Sequence, residues 1–186
     1  MKIMIPNDEY PEKYWLKYDH EKNPSHLEFF LAKKLEAFDR PIVFSVKSKV
    51  SLANFKKFDF LYSDGPILVS ERVSKILRDN CPDEIQLFPV IVNVNDESLT
   101  DYAILNILKS EEAFDLDSCV YVPLIKSMPD GPKRFKKIAL QDKLSSAHIF
   151  RASENRGSVI FSEKLAQIFT GASVKGVEFV SGLEGI

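Results

Sequence analysis

Apolar residues along the chain follow two periods. Spacing of i, i+3 and i+4 occurs at Val73, Ile76 and Leu77 and again at Leu165, Ile168 and Phe169, which predicts one apolar face on each of two short helices. A short apolar run follows each, Ile85 to Val90 after the first and Val177 to Val180 after the second, clustered or alternating as strands are. The two stretches are copies of each other. Gly65 to Val90 and Gly157 to Val180 align without a gap at a constant offset of 92 residues, matching Gly65 with Gly157, Ser70 with Ser162, Glu71 with Glu163, Arg72 with Lys164, Ile76 with Ile168 and Ile85 with Val177.

In each copy a serine stands just before the helix. Its hydroxyl oxygen can accept from a first-turn amide that has no partner within the helix, and Glu71 or Glu163 just inside suits the positive end of the helix dipole. The Ser-Glu pair is therefore explained as a cap. No strained Gly-x-Ser-x-Gly turn surrounds either serine, so neither reads as a nucleophile.

The remaining patterns extend this picture. Ser25 as cap, Glu28 three residues later, and an apolar face of Leu27, Phe30, Leu31 and Leu35 predict a helix over 25–38, stopped by Asp39-Arg-Pro41. Ile42 to Val46 predicts a strand. Tyr102 to Leu108, with Asn106 as its one polar insertion, tolerates either state, but the strand candidates at Cys119 to Val122 and Lys136 to Leu140 that follow favour a strand; Ala147 to Arg151 closes the series. The opening aromatics Tyr10, Tyr14, Trp15 and Tyr18 lie among charges and fit a loop-rich strap or an edge strand. The expectation is one α+β domain over residues 1–186. It is mainly antiparallel sheet packed with about three helices (25–38, 71–80 and 163–170) and contains the duplicated capped-helix-plus-strand unit.

Composition sharpens the class. With 45% apolar and 28% charged residues, the 186-residue chain is globular, and fourteen Phe against one Trp imply a core filled largely by Phe, Leu, Ile and Val. A formal net charge of −2 gives no global positive field to gather nucleic acid. The local basic run Lys133, Arg134, Lys136 and Lys137 follows the turn signature Pro129-Asp-Gly-Pro132 and reads as a solvated hairpin end. No apolar stretch approaches the roughly 20 residues that span a bilayer, and Met1 to Pro6 is too short for a signal-peptide core, so a cytoplasmic protein without membrane contact is expected. Cys81 and Cys119 are too few and too far apart for a disulfide framework.

Candidate chemistry is sparse. His20, His26 and His148 form no metal-binding spacing, even allowing for Cys81 or Cys119 as further ligands, so no metal is expected. Neither glycine-led copy contains a phosphate-binding loop, so no cofactor is expected. Carboxylates cluster at Glu111, Glu112, Asp115 and Asp117, with Asp96, Glu97 and Asp101 upstream. Acid–base catalysis needs a cleft that a sequence run does not supply. An exposed acidic ridge is the reading, either a solvated loop or a surface that meets a basic partner.

Several segments taken in order resemble one family: Tyr102 to Leu108, Phe114-Asp-Leu-Asp-Ser118, His148-Ile-Phe-Arg151, Val159-Ile-Phe-Ser-Glu163 and Gly176-Val-Glu-Phe179. Asp59 to Leu61, Gly65 to Arg72 and Leu87 to Val90 also have counterparts there. The pattern resembles the bacterial immunity proteins of polymorphic toxin systems, typified by a myxobacterial immunity protein and first described as a domain of unknown function. The likeness spans residues 58–181, and the first 57 residues match weakly. It implies a protein that binds a cognate toxin and blocks it by occlusion, without catalysis. Glu111, Glu112, Asp115 and Asp117 would then be candidates for the toxin contact, if the toxin's cleft is basic. The alternative is a small enzyme or ligand-binding domain with a pocket around His148 and Arg151.

Overall fold

The computed structural model describes residues 1–128, 131–143 and 145–185. In chain order its elements are β1 (Lys2–Ile5), β2 (Leu16–Tyr18), β3 (Ile42–Val46), α1 (Leu52–Phe55), β4 (Phe60–Leu61), β5 (Leu68–Ser70), α2 (Glu71–Asn80), β6 (Ile85–Val94), β7 (Glu97–Leu99), β8 (Tyr102–Ile107) and β9 (Ser110–Glu111). Then come β10 (Val120–Pro123), β11 (Lys133–Ala139), β12 (Ile149–Ala152), β13 (Val159–Phe161), α3 (Glu163–Gly171), β14 (Glu178–Val180) and β15 (Gly182–Glu184). The strands form three sheets: β2-β3-β6-β8-β5-β4 with β7 beside β6, β14-β1-β13-β12-β9, and β10-β11-β15. Most pairings are antiparallel; β3 with β6 and β12 with β9 are parallel. This is the expected α+β architecture, and α2 and α3 lie where the apolar spacing predicts them.

The duplication extends beyond the copied sequence. In the first copy β5 and β6 run parallel because each pairs antiparallel with β8, which lies between them; β4 flanks β5. In the second, β13 and β14 likewise sandwich β1, and β12 flanks β13. Each unit is a split β-α-β with four strands in the same order. Its inserted strand comes from after the copy in one case and from the chain's N-terminus in the other, so no alignment of the two copies contains it. Both caps form as predicted: Ser70 Oγ accepts from the Val73 amide at 3.3 Å and Ser162 Oγ from the Leu165 amide at 3.2 Å.

Alternation along the strands places the core on both faces of the second sheet. Met4, Ile149, Val159 and Phe161 face the larger apolar cluster with Leu165 and Phe169 of α3, while Ile3, Phe150, Ala152 and Ile160 face a smaller one completed by Phe114, Phe135 and Ile138. The opening aromatics form part of the larger cluster. Tyr10, Tyr14 and Tyr18 are buried in it, and β2 is the edge strand of the first sheet.

The helix expected over 25–38 is absent. Only a 3-10 turn forms at His26–Phe30, and the Ser25 side chain caps nothing. Leu27 and Leu31 are exposed while Phe29 is buried and Leu35 packs on the core, so the apolar residues do not gather on one helical face. Ala32 adopts φ of 52°, which breaks a helix. Side chains from the sheet then hold the backbone extended: Gln86 exchanges two hydrogen bonds with the Leu35 amide and carbonyl at 3.0 and 2.7 Å, and Asn106 donates to the Lys33 carbonyl at 3.0 Å. Glu28 is drawn away from a capping box into an ion pair with Lys33 at 2.6 Å. At the predicted 129–132 turn, residues 129 and 130 lie outside the described residues.

Candidate protein-binding surface

The acidic run occupies the connection from β9 to β10. Glu154, after β12, anchors it by accepting the amides of Ala113 and Phe114 at 3.0 and 2.8 Å, and the buried Phe114 ring packs edge-on against Phe135 with centroids 5.0 Å apart. From this anchor residues 115–118 turn outward. Asp115 accepts from the Ser118 hydroxyl at 2.6 Å and the Asp117 amide at 3.3 Å, so its carboxylate closes the turn. Glu111 is likewise engaged, accepting from the Ser145 hydroxyl at 2.8 Å. Glu112 and Asp117 are exposed, and among the described residues neither carboxylate has a partner. Glu112, Asp115, Asp117 and Glu154 line an open depression of about 480 Å³ with Phe114 and Gln141, and no cation contributes to its wall. Glu111 stands outside it. Three of the four sequence candidates therefore converge, joined by Glu154, whose part is invisible in sequence because it lies about 40 residues downstream.

Leu116 in that turn is exposed, and β10 and the loop after it carry further exposed apolar side chains: Val120, Val122, Leu124, Ile125 and Met128, of which Leu124 is 62% exposed. Composition and periodicity do not flag this surface. Its one sequence signal is the run Val120 to Ile125, which lacks any polar residue. The basic run extends along β11 rather than sitting only at the hairpin end; Lys133 lies over the Tyr121 ring at 5.4 Å and Lys137 pairs with Glu184 at 2.9 Å.

His148 and Arg151 do not share a pocket. His148 lies just before β12 and Arg151 within it, and their side chains meet different partners. His148 Nδ1 meets Ser162 Oγ at 3.0 Å. Arg151 is buried, donates to the Arg156 carbonyl at 2.7 Å and stacks over Phe30 at 4.7 Å, and burial pushes its guanidinium down to about 10. The pair thus supplies no shared site for acid–base chemistry. Among the described residues no group of three or more His, Cys, Asp or Glu side chains is placed to hold a metal, and no helix is long and apolar enough to cross a membrane.

A polar cluster that sequence reasoning passed over joins the two copies. Asp59, buried between Phe58 and Phe60, accepts from Ser70 Oγ at 2.9 Å, from Arg72 through both carboxylate oxygens, and from the Lys175 amide at 2.9 Å. Arg72 also donates to the Ala172 carbonyl at 2.8 Å, and its bond to Asp59 raises its pKa. Every member of this cluster binds another part of the scaffold, so it is structural.

The model of an immunity protein family (Imm11) matches residues 9–183. The chain belongs to that immunity protein family. No curated protein matches it. The match takes in the N-terminal aromatics and β2 to α1, which the resemblance over residues 58–181 had left aside. Family membership points to toxin-neutralising immunity and makes a non-enzymatic protein the natural reading.

Proposed function

We propose that this chain binds a cognate toxin and neutralises it by occlusion, without chemistry of its own, as a single folded unit in the cytoplasm. The observation that supports the contact is the depression walled by Glu112, Asp115, Asp117 and Glu154 with no cation. Clustered carboxylates set up a negative potential that steers a basic surface towards them and speeds association. A nucleic-acid-cleaving toxin with a basic cleft would fit. Asp115 acts chiefly by holding the turn, Glu111 is tied to Ser145, and Glu112 and Asp117 supply the free charge.

The test is co-expression in bacteria of the toxin domain encoded beside this chain, with and without it, followed by a pull-down. Restored growth and a recovered complex are expected. Toxicity that persists despite good expression, with no complex, sinks the proposal. Within it, Glu112→Lys with Asp117→Lys should slow association about tenfold or more at low salt and less at high salt. Unchanged kinetics would remove these carboxylates from the interface.

A further inference from the structure

Resting on the proposed toxin-binding function, we infer that the β10–β11 hairpin is the part of this protein that enters the toxin, seating its apolar tip in a concave groove. The hairpin carries an exposed apolar stripe. Val120, Leu124 and Met128 are 51, 62 and 52% exposed, with Val122 and Ile125 beside them, and contiguous apolar patches of this kind mark interaction sites. Tyr121, itself 37% exposed, lays its ring against Phe135 at 5.5 Å, and Val120 and Val122 on either side of it are exposed. Beyond that ring contact the described residues of the tip bond mainly to one another. Its backbone bonds run from Leu124 to Pro132, Met128 to Ile125 and Gly131 to Met128, and none of its apolar side chains joins either core cluster.

Backbone geometry decides how a partner can engage it. Leu124 donates its amide to Pro132 at 2.7 Å, so by antiparallel alternation Val122 also bonds towards β11 while Tyr121 and Pro123 face the open edge. Pro123 has no amide to offer there, and the Cys119 amide is already taken by the Asp115 carbonyl at 3.0 Å. Tyr121 alone is left to donate an amide to a ladder. The edge is therefore guarded against strand addition, including pairing with a second copy, and contact falls to the side chains. A convex apolar projection is covered by a concave surface, and two such projections do not enclose each other.

Charge fixes the occupant's chemistry and orientation. At the base of the stripe stand Asp115 and Asp117 in the turn that leads into β10; at the tip end stand the exposed cations Lys126 and Arg134. The partner is a protein groove with apolar walls, a cationic lip against Asp115 and Asp117, and anionic groups where Lys126 and Arg134 reach. The acidic depression and the hairpin are then one continuous interface.

The experiment compares wild type with a Leu124→Ser, Ile125→Ser, Met128→Ser triple variant, using the toxin domain encoded beside this chain as the probe. Because all three side chains are exposed, the variant should keep the wild-type thermal transition, and a paired variant, Lys126→Glu with Arg134→Glu, tests the surface without touching apolar residues. Roughly thirtyfold or greater loss of toxin affinity in the triple variant, with loss of protection, is expected of a central apolar anchor. If wild type binds and protects while both variants match it, the hairpin assignment is overturned and the immunity reading stands. If wild type itself neither binds nor protects, the immunity reading fails and takes this inference with it. A wild-type dimer that the triple variant converts to monomer at unchanged toxin affinity would assign the face to a second copy and overturn the inference.

Discussion

Asp59 and His148 hold the same place in the two halves of the molecule. Each precedes the flanking strand of its unit, and each accepts through its carbonyl the amide of its cap serine, Ser70 or Ser162, at 2.8 Å. Their side chains meet the same serines, Asp59 Oδ1 to Ser70 Oγ at 2.9 Å and His148 Nδ1 to Ser162 Oγ at 3.0 Å. The units also clasp each other reciprocally. The amides of Asp59 and Phe60 donate to the Lys175 carbonyl at 3.0 and 3.1 Å, and those of His148 and Ile149 donate to the Glu84 carboxylate, both at 2.8 Å. Lys175 and Glu84 both lie in the helix-to-strand connection of the opposite copy. An approximate twofold relation thus survives in which one clasp uses backbone and the other a side chain.

Asp59→Ala should be among the more damaging polar substitutions. It removes a buried carboxylate that pairs with Arg72 and receives Ser70 and the Lys175 amide, leaving donors without partners, and a loss of about 3 kcal/mol in denaturant unfolding is expected. Arg72→Ala should lose less, since its side chain is half exposed. Equal losses from the two would contradict the clasp.

The cap serines offer a milder comparison. Ser162→Ala should cost about 1 kcal/mol, and Ser70→Ala more, because the second bond of Ser70 goes to the buried Asp59 carboxylate and that of Ser162 to the less buried His148 ring. Urea midpoints with unchanged slopes would report this ordering.

Gly176 is required by two independent constraints. Its φ is +93°, and a Cβ there would lie 2.7 Å from the Phe60 carbonyl oxygen. Gly176→Ala should destabilise by about 2 kcal/mol or more by combining left-handed strain with displacement of the Lys175 clasp. Gly171→Ala, with nothing within 4 Å of its Cβ, is the control and should be nearly silent.

Alkaline pH should weaken the fold. Burial pushes the Cys81 thiol from 9.0 up to about 12 and the Tyr10 and Tyr18 phenols from 10.0 to about 12, and it also raises Tyr62 and Tyr102. Between the ordinary and the raised values the unfolded chain has lost these protons while the folded chain keeps them. Stability is therefore full below about pH 9 and falls as pH rises towards about 12. Unfolding midpoints measured from about pH 8 to about pH 11 should drop monotonically. Native Cys81 should also resist alkylation near pH 8.5, since only a small fraction of about 1 in 3,000 is thiolate there; rapid labelling of both cysteines would refute its burial.

What was legible in the sequence followed from local rules. Ser70 and Ser162 cap because hydroxyl and amide are three residues apart, and Val73, Ile76 and Leu77 face the core because a helix repeats every 3.6 residues. The same rules misread 25–38. There Gln86 and Asn106, distant in sequence, satisfy backbone groups that a helix would have satisfied itself.

By itself the sequence determined the class, the two capped helices, their following strands and the family, because each depends on neighbours or on an ordered pattern of residues. Only the tertiary structure decided that β1 and β8 complete equivalent units, that Asp59 and Glu84 clasp one copy to the other, and that Glu154 joins the acids of residues 112–117. It also decided that Val120 to Met128, apolar enough to be core, stands outside. Which apolar run is buried depends on what packs over it, and among the described residues nothing covers the exposed side chains of the hairpin.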